Sequence, residues 1–266
     1  MKKVIYSCIT GGYDDVCRHI YVDASWDYVL FTDNKYLLGL RRYLHWEIRP
    51  LVYAKMGNVK NARWHKINAH KIFPEYDISL WIDGNIVIMK PEFFYRLNTF
   101  IEQGHPIVIP PHPARTCIFD EAKTIIELKI DNKNTVAQQM RIVRLYRYPK
   151  NNGLNETCII LRRHNNKKIQ KLQRIWWRMV KNYSRRDQLS YNWAAWRCGV
   201  GTIPMFNVPG EHRKCDELLF VHKTSHNQAP SRYLDTWVVP RWMAQIICMF
   251  ITSRKSKKVF IAKHTR

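Results

Sequence analysis

Ile78-Ser79-Leu80-Trp81-Ile82-Asp83-Gly84-Asn85-Ile86-Val87-Ile88-Met89 runs from apolar to polar and back within twelve residues. Residues 78–82 are short and apolar, as a buried strand is. Asp83-Gly84-Asn85 reads as the turn that ends it, and 86–89 as a second short strand. An acid at the end of such a strand has meaning in an open α/β sheet, where ligands sit outside the carboxyl ends of the strands. Two oxygen side chains two positions apart can share a hard cation, or ribose and phosphate groups. They can equally do no more than satisfy the backbone of a β-turn. The segment alone leaves both readings open.

Working outward, residues 4–9 read as a buried strand ending at Gly11-Gly12, and 28–32 as another, followed by Asp33-Asn34. Residues 61–73 read as a helix closed by Pro74, 106–110 as a strand, 121–128 and 136–146 as helices, and 157–162 as a strand. Strands alternating with helices predict a mainly parallel sheet. From 168 to 183 a helix is marked by Ile169, Leu172, Trp176, Met179, Val180 and Tyr183 at helical spacing. A further helix carries Leu189, Trp193 and Trp196 on one face, and Ser184-x-x-Asp187 before it has the form of a capping box.

The 266 residues hold 46% apolar side chains, enough for a core. Lys and Arg number 44 against 21 Asp and Glu, a net charge of +23 that asks for an anionic partner: nucleic acid, membrane or phosphate. Seven widely spaced cysteines without a C-x-x-C argue against a disulfide framework or zinc knuckle and for reduced thiols in the cytoplasm. The apolar run after Met1-Lys2-Lys3 breaks at Thr10-Gly11-Gly12, too early for a secretory signal, and no 18-residue apolar run predicts a membrane span. Residues 231–266 differ in character, with eight Lys or Arg against Asp235 alone. There Trp242, Ile246, Ile247, Phe250 and Ile251 fall on one helical face ahead of Arg254-Lys255-Ser256-Lys257-Lys258. This tail suits either an anionic bilayer surface, the inner face of a membrane, or packing on the domain.

Several ordered motifs carry a resemblance. The run from Ala62-Arg63 through Lys66, His70-Lys71, Pro74 and Asp77 to Asp83-Gly84-Asn85 resembles the core of GT-A glycosyltransferases. It is similar in particular to a group of bacterial and plant proteins that includes the mucilage pectin glycosyltransferases and the turgor-regulation-defect protein. More loosely, it resembles the glycogenin-like family 8 transferases. His105-Pro106, Cys117 to Ala122, Gly153-Leu154-Asn155-Glu156 with the following strand, and Arg186-Asp187-Gln188 match in order, so that the resemblance covers roughly residues 3 to 200.

The resemblance implies a GT-A, Rossmann-like nucleotide-sugar-binding fold with a mainly parallel central sheet over residues 1–230, followed by the basic amphipathic tail at 231–266. It implies a glycosyltransferase that takes a sugar from a nucleotide-sugar donor, UDP-linked by preference, to a glycan or glycolipid acceptor, in surface polysaccharide or lipopolysaccharide synthesis. The family 8 likeness leans towards retention of configuration. Thr10, Gly11, Gly12, Tyr13 and Asp33 would hold the nucleotide, while Arg63, Lys66, Asp83, Gly84, Asn85 and Lys223 would address the diphosphate or donor sugar. Asp187, Gln188, Glu156 and Asn155 would face the transferred sugar as catalytic residues. A divalent metal, Mn²⁺ or Mg²⁺, would rest on Asp83, Asn85 and His222, but Asn85 stands where the usual pattern has a second aspartate and offers oxygen without charge.

Each assignment has a plainer counterpart: a turn at 10–13, a cap at Asp33, a solvated basic face at Arg63 and Lys66, a polar loop at 155–156, a structural histidine at 222. Three other functions stand beside the transferase: a basic nucleic-acid-binding protein, a membrane-peripheral hydrolase and an inactive sugar-binding relative. Nucleic acid is not the expected partner, because the charge is spread and no module motif is present. The hydrolase lacks a G-x-S-x-G. Asn85 is the best argument for the inactive relative.

Overall fold

Both faces of the 78–82 run are covered, and Ile78, Leu80, Trp81 and Ile82 are all buried. The computed structural model describes residues 1–221. In chain order its elements are β1 (Lys3–Ile9), β2 (Asp27–Thr32), α1 (Lys35–Leu40), β3 (Arg42–Tyr43), β4 (Trp46–Pro50), α2 (Asn58–Ile67) and α3 (Ala69–Ile72). They continue with β5 (Ile78–Ile82), β6 (Ile86–Ile88), α4 (Glu92–Glu102), β7 (Ile107–Ile109), α5 (Ile118–Glu127), α6 (Lys133–Leu145) and β8 (Ile159–Arg162). Last come α7 (Lys167–Asn182), α8 (Gln188–Arg197), β9 (Ile203–Pro204), a 3-10 turn (Glu211–Arg213) and β10 (Leu218–Phe220).

Eight strands form one sheet in the order β3-β4-β2-β1-β5-β8-β7-β9, and β10 pairs with β6 in a second, two-stranded sheet. All strands of the large sheet share one direction except β3 and β8. The result is a mixed α/β fold with a mostly parallel central sheet, as expected. Strand β1 lies between β2 and β5, Val4 opposite Asp27 on one side and Lys3 opposite Ile78 on the other. The chain therefore leaves β1 in one direction and returns on its other flank. Such a reversal marks the carboxyl ends of β1 and β5 as the place where α/β sheets receive ligands.

Alternation along the strands builds two cores. Val4, Tyr6 and Trp81 face one side with residues of α2, α5, α6, α7 and α8; Ile5, Leu80 and Ile82 face the other with Phe93, Phe94, Leu97 and Ile101 of α4. Helix α7 buries Ile169, Leu172, Trp176, Met179 and Val180. Each such side chain contributes on the order of 1.5–3 kcal/mol by leaving water.

The helix expected over 61–73 is two helices. Asn68 breaks it: its backbone N–H and its side-chain amide both donate to Trp64 O, at 2.9 and 3.0 Å, and its φ/ψ of −98°/41° is not helical. Short polar side chains compete with helix hydrogen bonding in this way. No helix among the described residues is long and apolar enough to cross a membrane. His222, Lys223 and the tail at 231–266 lie outside the described residues.

Candidate functional site

Helix α2 is pinned to the sheet through Lys66, whose carbonyl accepts from Tyr6 Oη at 2.9 Å and from the buried Arg162 guanidinium. The anchored residue turns its side chain inward, leaving Lys66 1% exposed. Its Nζ lies 2.7 Å from Asp187 Oδ2 and 3.4 Å from Asp83 Oδ1. Arg63, one turn earlier, brings Nε to 2.8 Å from Asp187 Oδ1, an ion pair rather than an aligned hydrogen bond. Thr157 Oγ1 donates to Asp187 Oδ2 at 2.8 Å, and Trp81 Nε1 donates to Asp83 Oδ1 at 2.8 Å. Burial works against charge on Asp187, but Arg63, Lys66 and Thr157 outweigh it and hold the carboxyl well below the usual carboxylate range. Asp83 and Asp187 thus share one constellation with Arg63 and Lys66.

Asp83 ends β5 in a β-turn closed by Ile86 N–H on Asp83 O at 3.0 Å. Its carboxylate does not serve the turn, since Oδ1 is taken by Trp81 and Lys66. The turn rests on β1: a Cβ on Gly84 would come within 2.7 Å of Ile9 Cγ1 and 3.6 Å of Asp14 Oδ2. Asn85 O accepts from Val221 N at 2.8 Å. Asp14, which the sequence did not single out, thus stands beside the turn, and its charge reaches Arg63.

At the end of β1, Gly11 has φ +61°, and a Cβ there would meet Asn58 Nδ2 at 2.0 Å. Its N–H donates to both oxygens of Asp33, at 3.0 and 2.9 Å, and Thr10 Oγ1 donates to Asn58 O at 2.9 Å. Gly12 also has positive φ, and the Tyr13 ring beyond it is about half exposed. These residues follow the carboxyl end of β1, and Thr10 ties them to the start of α2.

Ser184 and Asp187 do not form a capping box. Asp187 occupies the N-cap of α8 without a side-chain cap bond, because Arg63, Lys66 and Thr157 claim its carboxylate. Ser184 Oγ instead donates to Asp131 Oδ2 at 2.7 Å. The neighbouring Gln188 donates through Nε2 to buried Glu121 at 2.5 Å, and Glu121 also holds Arg115 at 2.6 Å.

Asn155 and Glu156 lie in adjoining polar networks. Asn155 is locked to Asn192: its N–H donates to Asn192 Oδ1 at 3.0 Å and its Oδ1 accepts from Asn192 Nδ2 at 2.8 Å. Glu156 takes both arms of the Arg213 guanidinium, and its Oε2 lies 2.7 Å from His212 Nε2. Burial again opposes the charge, and these two partners hold the Glu156 carboxyl far below its ordinary value. Of the sequence-derived candidates, then, Arg63, Lys66, Asp83 and Asp187 meet in one centre, while Asn155, Glu156 and Gln188 are engaged with Asn192, Arg213 and Glu121. Trp81, Thr157, His212 and Arg213 join the site unforeseen. Trp81 alone carried a local signal, two positions before Asp83.

The expected metal ligands can be tested against this geometry. Asp83 Oδ1 already accepts from two donors, Lys66 among them, and Asn85 brings no charge. Glu156, Cys158 and His212 place one ligand atom each within 4.8 Å of one another. However, Glu156 is clamped by Arg213, and burial pushes the Cys158 thiol well above its ordinary value. Among the described residues these donors do not fit a hard divalent cation, which favours several oxygen ligands.

Residues 4–225 match the family described as "TOD1/MUCI70, glycosyltransferase-like domain". An Arabidopsis thaliana protein described as "Probable hexosyltransferase MUCI70" is 24% identical over 218 residues, which cover 71% of this chain and 36% of that protein. The chain therefore spans little more than a third of that relative's length. Apo mouse xyloside xylosyltransferase 1 shares a TM-score of 0.43 at 10% identity, over 76% of this chain and 84% of the mouse chain.

Proposed function

The chain belongs to the TOD1/MUCI70 glycosyltransferase-like family, and from that premise we propose that it transfers a sugar, a hexose or related unit, from a nucleotide-sugar donor to a glycan or glycolipid. The observation that carries the reading is the centre formed by Arg63, Lys66, Asp83 and Asp187 beside the carboxyl ends of β1 and β5. A nucleotide diphosphate needs positive charge where its leaving oxygen develops negative charge. Arg63 is the partly exposed cation of the centre, and Asp187 and Asp83 hold Arg63 and Lys66 in place. The glycine loop at Gly11-Gly12, braced by Asp33, lets a nucleotide approach the backbone, with the half-exposed Tyr13 ring next along the chain to meet a base.

In the transfer, the bond between the anomeric carbon and the diphosphate oxygen breaks with its electron pair going to that oxygen. The acceptor hydroxyl oxygen bonds the same carbon, and its proton passes to the released diphosphate or to solvent. Asp187 and Glu156 are poor bases for that proton, because their cationic partners hold both carboxyl groups far below their ordinary values. UDP as the nucleotide, retention of configuration, and a surface polysaccharide or lipopolysaccharide product extend the proposal on the strength of the family resemblance. A cytoplasmic reaction on the inner membrane face extends it further; the six described cysteines are all unbridged, as a reducing compartment keeps them.

A thermal-shift panel of UDP-, GDP-, CMP- and TDP-linked sugars, with and without Mn²⁺, tests the reading, because a bound donor stabilises the fold by mass action. One donor is expected to raise the melting temperature and then to be consumed with a glycan acceptor. A donor that raises the melting temperature but is never consumed would leave the inactive sugar-binding relative as the better account, and no shift with any donor would overturn the reading.

A further inference from the structure

We infer that the site grips the donor's diphosphate with fixed side-chain cations, Arg63 and Arg213, in place of a divalent metal. The inference rests on the donor reading above and specifies how that site meets its charge.

Asp83, the charged member of the expected metal set, and Asp187, the second carboxylate of the centre, are the acids a bridging metal would need. They are already bridged by Lys66, 2.7 Å from one and 3.4 Å from the other, with Arg63 closing on Asp187 at 2.8 Å. Two carboxylates against an ammonium and a guanidinium sum to zero, so a dication would enter a neutral centre beside two cations. Trp81 Nε1–H further occupies Asp83 Oδ1. Asn85, at the next ligand position, brings oxygen without charge, and only its main chain is engaged, its backbone carbonyl accepting from Val221 N–H.

The nearby Glu156, Cys158 and His212 do not replace those ligands. Both Glu156 oxygens are held by Arg213, with His212 on Oε2. The same contacts aim Arg213. Glu156 fixes the guanidinium through two arms, its plane rests 4.8 Å from the Phe220 ring, and its charge is felt at Asp83. About a fifth of the Arg63 side chain and a fifth of the Arg213 side chain remain exposed, against 2% for Lys66. Lys66 is therefore a positioning residue, and the two arginines are the cations a ligand can reach. Planar guanidinium forks suit phosphate oxygens.

The test is calorimetric titration of the full chain with UDP, and separately with GDP, in EDTA and in Mn²⁺ or Mg²⁺. Dissociation constants in EDTA and in metal are expected to agree within about threefold. Arg63→Gln and Arg213→Gln, checked for folding by circular dichroism, are each expected to weaken binding in EDTA by about tenfold or more, and Arg63→Lys to recover part of the loss. Binding seen only with metal, or about thirtyfold tighter with it, overturns the inference and leaves the donor reading intact. Absence of nucleotide binding under every condition overturns both.

Discussion

Lys66 Nζ and Asp187 Oδ2 lie 2.7 Å apart, although 121 positions of sequence separate them and both side chains are almost fully buried. Removing one partner of a buried pair leaves the other charge without compensation, which costs on the order of 3–5 kcal/mol. Asp187→Asn is therefore expected to lower unfolding free energy by about that amount and to abolish transfer. Asp83, with 29% of its side chain exposed, carries less of the structural burden. Asp83→Asn is expected to abolish transfer while costing only about 1 kcal/mol or less. Urea unfolding set beside donor turnover separates the two; normal turnover by both variants would sink the site.

Glu156 was expected to touch the transferred sugar, but its oxygens are committed to Arg213 and His212. Glu156→Gln keeps the shape and removes the charge, and is expected to destabilise the fold by about 3 kcal/mol. In a double-mutant cycle with Arg213→Met, the coupling energy is expected to exceed about 1 kcal/mol. Additive effects would mean that the two residues act separately.

The central strands were readable because each is a short apolar run between turn residues: β5 spans 78–82 in both sequence and structure, and β1 and β2 differ by a residue at the start. Other elements were passed over although their signals were present. Helix α4 follows Pro91 and places Phe93, Phe94, Leu97 and Ile101 at helical spacing. Strand β4, Trp46–Pro50, mixes charge and apolar residues and reads as a loop until it is paired with β2 and the edge strand β3. The acids and bases of the site were legible as residue types in order. Their partnerships were not, because Lys66 with Asp187, Glu156 with Arg213 and Asn155 with Asn192 are long-range pairs that only the folded sheet brings together. Local pattern misled at Asp187, where a capping motif gave way to stronger ionic partners one helix away.

Gly84 makes a directional prediction about the turn that carries Asp83. A methyl group there would stand 2.7 Å from Ile9 Cγ1. Overpacking of this kind costs about 1–3 kcal/mol, and relief requires the turn to lift from β1. Gly84→Ala is expected to weaken nucleotide binding more than tenfold while the circular dichroism spectrum stays unchanged. Wild-type affinity in the variant would show that the turn does not set the site.

The buried histidines predict how stability responds to acid. Burial and nearby Arg18 push His45 down to about 4, and burial pushes His65 and His164 down to about 4 as well. His19, stacked on His45 at 4.5 Å, is held well below its ordinary value by burial and by His45. Two of these rings use a nitrogen as acceptor: His65 Nε2 receives Val52 N–H at 2.9 Å, and His19 Nδ1 receives Ile88 N–H at 3.2 Å. Protonation would turn each acceptor into a donor facing a donor. An unfolded histidine titrates near about 6.5, so between about 6.5 and about 4 the unfolded chain binds more protons than the folded one, and stability falls as pH falls. Asp187 and Glu156 enter only at the acid end: their folded values are depressed, so their contribution begins to fade near about pH 5, as the unfolded carboxylates protonate, and goes on fading below it. The urea midpoint is expected to stay flat above about pH 7.5 and to drop steadily from about 6.5 to about 4, with a shallower slope in His45→Asn. A midpoint unchanged between about pH 7 and about pH 5 would mean that these rings are not buried in their neutral form.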